Sequence, residues 1–129
     1  MIILDTHIWL WWISQNPKLK TIWLKHIEQA DQVGVSAISL FEVSWLDRHN
    51  RIQLSSPRNE WFDKALAYSN IQLIPITPEI ASQAVDLQEH HSDPQDRIII
   101  ATALIHNARI LSADSKFRLY AELDDLLIQ

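Results

Sequence analysis

The chain has 129 residues, a length that a single domain over 1–129 satisfies, with 47% hydrophobic and 21% charged side chains. Its 16 acidic and 11 basic residues leave a net charge of −5, which argues against a protein that coats nucleic acid. That balance still admits a nucleic-acid enzyme that neutralises phosphate locally with metal ions. There is no cysteine, so disulfide and thiolate chemistry are excluded. The N-terminal apolar run is too short to span a bilayer and lacks the flanks of a signal peptide, so no membrane association and a cytoplasmic location are expected.

In chain order, "IIL" (2–4) reads as a strand, Asp5 follows it, and "HIWLWWI" reads as a short helix apolar almost all round. Asn16-Pro17 predicts a helix over about 17–30, because proline at the first helical position loses nothing where the N–H would be orphaned. "VGVS" (33–36) reads as a second strand and "SLFEVSWLDRH" (39–49) as a helix. By the same proline signal, Ser56-Pro57, Thr77-Pro78 and Asp93-Pro94 predict helices over about 57–69, 78–90 and 94–107. "IQLIPI" (71–76), "ARILS" (108–112) and the terminal "LLI" (126–128) read as the remaining strands. Strands alternating with helices predict an α/β fold, a parallel sheet covered on both faces, whose ligands bind beyond the carboxyl ends of the strands.

Four acids fall at such positions. Asp5 closes the first strand, Glu42 lies in the first turn of the helix after the second, Asp96 in the first turn after Pro94, and Asp114 just past "ARILS". Each has a bland explanation. Ser39-x-x-Glu42 matches a capping box, Asp96 suits a helix dipole, and Asp5 and Asp114 suit helix caps. Capping does not require the helix ends to meet, however. If the strands of Asp5, Glu42 and Asp114 are neighbours, the carboxylates converge, and their repulsion is relieved by a hard divalent cation such as Mg²⁺ or Mn²⁺. Histidine is not expected to join them. His7 diverges from Asp5 at i+2, His90 and His91 read as helix-end residues, and His26, His49 and His106 as surface or helix-end residues. The expected site is therefore all-oxygen.

Taken together, "IILDTHIWLWW", "VSAISLFEV", "HHSDPQDRIIIATAL" and "ILSADSKF" resemble the PIN-domain family, and within it the VapC-like toxins of VapBC type II toxin–antitoxin systems. "DPQDRIIIATA" is the most specific piece, and Gln95 departs from the aromatic residue common there. The resemblance implies a three-layer α/β/α fold with a parallel sheet of about five strands in the order 3-2-1-4-5. It implies a Mg²⁺- or Mn²⁺-dependent endoribonuclease that hydrolyses phosphodiester bonds of single-stranded or looped RNA. Asp5, Glu42, Asp96 and Asp114 would serve as catalytic and metal-binding acids, with Thr6, Ser39 and Ser112 orienting them. Arg97, Lys116 and Arg118 lie near these acids in sequence and would meet flanking phosphates, or Arg97 would pair with an acid. A cognate antitoxin and a homodimer are the implied protein partners.

The six tryptophans read mostly as core, but Trp9, Trp11 and Trp12 cannot all face one core from one helix, which leaves some for a partner surface or a base. Competing readings are a regulatory binding module with an inactive site, a nuclease of RNA maturation and a nuclease of structured DNA. A phosphatase of the haloacid dehalogenase type would need an acid where His7 stands.

Overall fold

The computed structural model describes residues 1–129, apart from the side chain of Ser69. Its strands are β1 (Ile2–Leu4), β2 (Val33–Ser36), β3 (Ile71–Ile74), β4 (Arg109–Leu111) and β5 (Leu127–Ile128), paired parallel in the order β3-β2-β1-β4-β5. The six α-helices among the described residues are α1 (Thr6–Ile13), α2 (Thr21–Gln29), α3 (Ala37–Arg48), α4 (Arg58–Ala67), α5 (Pro78–Asp86) and α6 (Pro94–His106). None of them is long and apolar enough to cross a membrane.

Side chains alternate across the central strand, and that alternation builds the layers. Ile2 and Leu4 pack on one face with Trp9, Trp12, Trp23, Ile27 and Trp61 from α1, α2 and α4. Ile3 packs on the other with Ile99, Ile100 and Ala103 of α6, together with Phe117 and Tyr120. Gly34 sits in β2 on the α6 side, where an added Cβ would lie 2.5 Å from Ile74 Cδ1; close approach, not backbone freedom, accounts for it. Of the three clustered tryptophans, Trp9 and Trp12 are buried in one core, and Trp11 is half-buried at its margin.

Several element ends differ from the sequence reading, each for a local reason. Asn16-Pro17 builds a turn, not a helix start: Asn16 Oδ1 accepts the Lys18 amide at 2.9 Å, and α2 begins only at Thr21. α3 begins at Ala37 because Ser36 ends β2 and caps the helix at once, its Oγ accepting the Ile38 amide at 3.2 Å. Ser39 is therefore not the cap, the capping box does not form, and Glu42 lies in the second turn. α4 ends at Ala67, and α5 ends at Asp86, where α6 intervenes as described below. β3 ends at Ile74, ahead of Pro75, which has no N–H to continue the ladder.

Candidate metal centre

The sheet order places the carboxyl ends of β2, β1 and β4 side by side, and the acids follow from it. Asp5 leaves β1 and caps α1, its Oδ1 accepting the Ile8 amide at 3.0 Å. Its Oδ2 accepts the Ser112 hydroxyl at 2.5 Å. Ser112 Oγ in turn accepts the Asp114 amide at 3.0 Å, so one buried hydroxyl ties two acids together. Asp114 Oδ1 caps the short 3₁₀ turn Ser115–Leu119 through the Lys116 amide at 2.9 Å, as a bland cap would. Thr6 Oγ1 and Ser39 Oγ meet at 2.8 Å, bonded to each other and not to a carboxylate.

Asp5, Thr6, Glu42, Asp96 and Asp114 line one cleft of about 420 Å³, joined by Asp93, His7, His91 and Trp11. Among the described residues, no lysine or arginine lines it. Burial pushes the Asp5 carboxyl above its ordinary value, against the hydrogen bonds from Ile8 and Ser112, and Glu42 adds to the rise. Burial and the neighbouring charges of Asp93, Glu42, Asp5 and Asp114 push Asp96 up to about 8. Asp114 behaves oppositely: burial would raise it, but the His91 hydrogen bond, the Lys116 amide and nearby positive charge hold it below the ordinary range. Glu42 Oε1 is buried without any hydrogen-bond partner. A buried carboxylate oxygen left unpaired is costly, and Glu42 lines the same cleft as four other carboxylates. These residues fit a divalent cation.

Two sequence readings are corrected here. His91 is not a helix-end residue. It is buried in the loop between α5 and α6, with Nε2 2.8 Å from Asp114 Oδ2 and 3.0 Å from Asp96 Oδ2. Its nitrogen and one oxygen of each of those two acids lie within 4.8 Å of one another, so an imidazole stands among the acids where the sequence reading placed none. No sequence pattern marked it, because its contact to Asp114 spans 23 residues. Arg97 neither faces the cleft nor pairs with an acid. Its guanidinium donates to the carbonyls of Val85, Leu87, Gln88 and His91 at 2.7–3.3 Å, closing the end of α5 and bracing the loop that carries His91. A larger cleft of about 670 Å³ around Trp12 and Tyr68 offers Glu28 and Asp31 but no such convergence of acids, so volume and chemistry disagree and the smaller cleft is the candidate.

A parallel five-stranded sheet in this order, with acids gathered at the carboxyl ends, defines the class: the chain matches the PIN domain over residues 2–123 and belongs to the PIN-domain family. It is 36% identical to Ribonuclease VapC22 of Mycobacterium tuberculosis over 118 residues, which is 91% of this chain and 89% of that protein. Two solved structures share its fold. One is a toxin–antitoxin complex from Klebsiella pneumoniae, with TM-score 0.70 and 21% identity over 100% of this chain and 97% of that one. The other is VapBC2 from Rickettsia felis bound to a DNA fragment from their promoter, with TM-score 0.71 and 18% identity over 99% of this chain and 98% of that one.

Proposed function

We propose that the protein is a Mg²⁺- or Mn²⁺-dependent endoribonuclease that hydrolyses phosphodiester bonds of single-stranded or looped RNA, and that it is the toxin of a toxin–antitoxin pair. One observation carries the reading: five carboxylates line a single cleft without a lysine or arginine among them, and one buried oxygen, Glu42 Oε1, has no partner. Membership of the PIN-domain family and the 36% identity to a ribonuclease support it.

Asp5, Glu42, Asp96 and Asp114 are the residues that would hold the cation. When bound, it supplies positive charge against the scissile phosphate and a water of lowered pKa for in-line attack. The chain's own residues prepare that site. Ser112 fixes Asp5 Oδ2, the Ile8 amide fixes Oδ1, and His91 holds Asp96 and Asp114 through one nitrogen. The hydrogen bond between Thr6 and Ser39 joins α1 to α3. Arg97 acts at one remove, by bracing the His91 loop.

The likeness to two toxin–antitoxin structures supports an antitoxin as partner, and the exposed Phe41 and Trp45, one helical turn apart on α3, give a homodimer or an antitoxin an apolar surface to cover. The test is cleavage of end-labelled single-stranded RNA by the purified, partner-free protein with Mg²⁺, Mn²⁺ or EDTA, with Asp96→Asn in parallel. Cutting that needs the metal and is lost in the variant is the expected result. Metal-independent cutting, or cutting retained by Asp96→Asn, would sink the reading.

A further inference from the structure

A second groove, of about 340 Å³, adjoins the acidic cleft, and Trp11 and Ala113 line both. Its chemistry is the reverse of its neighbour's. Lys18, Lys20 and Arg118 line it, and no aspartate or glutamate does. In a chain of net charge −5 with 11 basic residues, three cations on one groove are a local inversion of sign.

The floor is aromatic. Trp23 is 2% exposed, so it serves as a fixed base: Lys20 Nζ lies 4.9 Å from its ring centroid, and the Trp11 ring stands 6.2 Å away at 32°. Trp11 is half-buried, and its edge reaches both spaces. Arg118 is tied to the acidic site by one brace. The Gln129 side chain accepts from the Arg118 guanidinium and donates to the Asp114 carbonyl, the latter at 2.7 Å.

We infer that this groove is the track of the nucleic-acid strand leaving the acidic cleft, with Lys18, Lys20 and Arg118 on successive phosphates and Trp11 under a base. The occupant follows from the mixture. Cations beside an aromatic platform bind a single strand without regard to its sequence, since every base has a π-face. A duplex would hide the faces that Trp11 needs. An acidic peptide would use the cations but leave Trp11 idle. The inference rests on the proposed nuclease reading only for what lies at the cleft end of the track.

The test is binding of a fluorescein-labelled oligouridylate by anisotropy in EDTA over a range of salt, which reads the groove without chemistry. Cleavage of the same RNA with Mn²⁺ is followed in parallel. Each cation removed lowers the salt slope by about 0.7, so the Lys18→Ala, Lys20→Ala, Arg118→Ala triple variant loses about 2. Trp11→Ala weakens binding about tenfold and Trp11→Phe restores most of it. An unchanged slope in the triple variant, which alters only exposed side chains, overturns the inference. So does wild-type affinity in Trp11→Ala, or polyglutamate bound as tightly as RNA, which would reassign the groove to an acidic protein. The two readings fail separately. Groove-dependent binding by a protein that cuts nothing leaves the track standing and removes the nuclease; metal-dependent cutting with an unchanged slope does the opposite.

Discussion

The amide of Asp93 points at Nδ1 of His91 at 3.2 Å, so that nitrogen accepts and the ring proton belongs on Nε2, between Asp96 and Asp114. His91 is thus a donor that positions two acids, gripped in turn by Tyr120 Oη on its amide and Arg97 on its carbonyl. The two nitrogens can be separated by substitution. Asparagine keeps an acceptor near the Nδ1 position and loses the reach to the acids, while glutamine keeps a donor near Nε2. Calorimetry should show Mn²⁺ affinity falling about 10–100-fold in His91→Asn and remaining near wild type in His91→Gln; equal losses in both would assign the residue to packing alone. Asp96, with its carboxyl pushed up to about 8, binds its proton more tightly folded than unfolded. Its contribution to stability is therefore complete below the ordinary carboxylate range and is lost as pH rises towards about 8. Asp5 acts in the same sense and Asp114 in the opposite one. Without metal, Tm should fall between pH 5 and pH 8, and Asp96→Asn should raise Tm at pH 8 by about 5 °C while abolishing activity. A Tm that rises over that interval in the metal-free wild type would contradict this. Asp5, Asp96 and Asp114 were legible because each stands at a strand end or helix start, whereas Glu42 stands a turn deeper in α3 than the sequence reading put it. His91 was not, because a histidine in a loop has no period to betray it.

Arg97 shows what element-level reading misses. The sequence carries α5 on to residue 90, yet the helix stops at Asp86 because the Arg97 guanidinium, one turn into α6, takes up the carbonyls of Val85, Leu87 and Gln88. That bond set ties two helices and the His91 loop together. Arg97→Ala should cost about 1–3 kcal/mol in urea denaturation, and Arg97→Lys should recover less than half, since an ammonium lacks the planar fork. Full recovery by lysine would show that charge at the end of α5 suffices. Three of the four proline signals stand beside helix starts, at Pro57, Pro78 and Pro94. The fourth failed at Asn16, whose side chain closes a turn with the same residue pair that opens a helix. The capping box at Ser39 failed for a related reason: with no loop after β2, Ser36 had already capped the helix. That failure removes the bland explanation of Glu42 and leaves its Oε1 without a local partner.

At the scale of the molecule, the sheet order converts four separated acids into one cleft, and that order is not readable from local pattern. "IIL", "VGVS" and "ARILS" are interchangeable apolar runs, and their order came with the family resemblance. Charge is arranged at the same scale. An acidic cleft and a basic, aromatic groove share Trp11 as a wall, so opposite signs adjoin at one side chain. Apolar surface is arranged likewise. Phe41 and Trp45 are 58% and 44% exposed on α3, and light scattering of the partner-free protein should show a dimer that Trp45→Ser weakens. A monomer at all concentrations would contradict a self-association through that face. Whether the acids share a divalent cation is read by titrating the purified protein with Mn²⁺ and following the EPR signal of the free ion. Saturable binding is expected, weakened about tenfold or more in Glu42→Gln and lost in Asp96→Asn. A wild-type protein that leaves all of the Mn²⁺ free would contradict it and reduce the acids to helix caps.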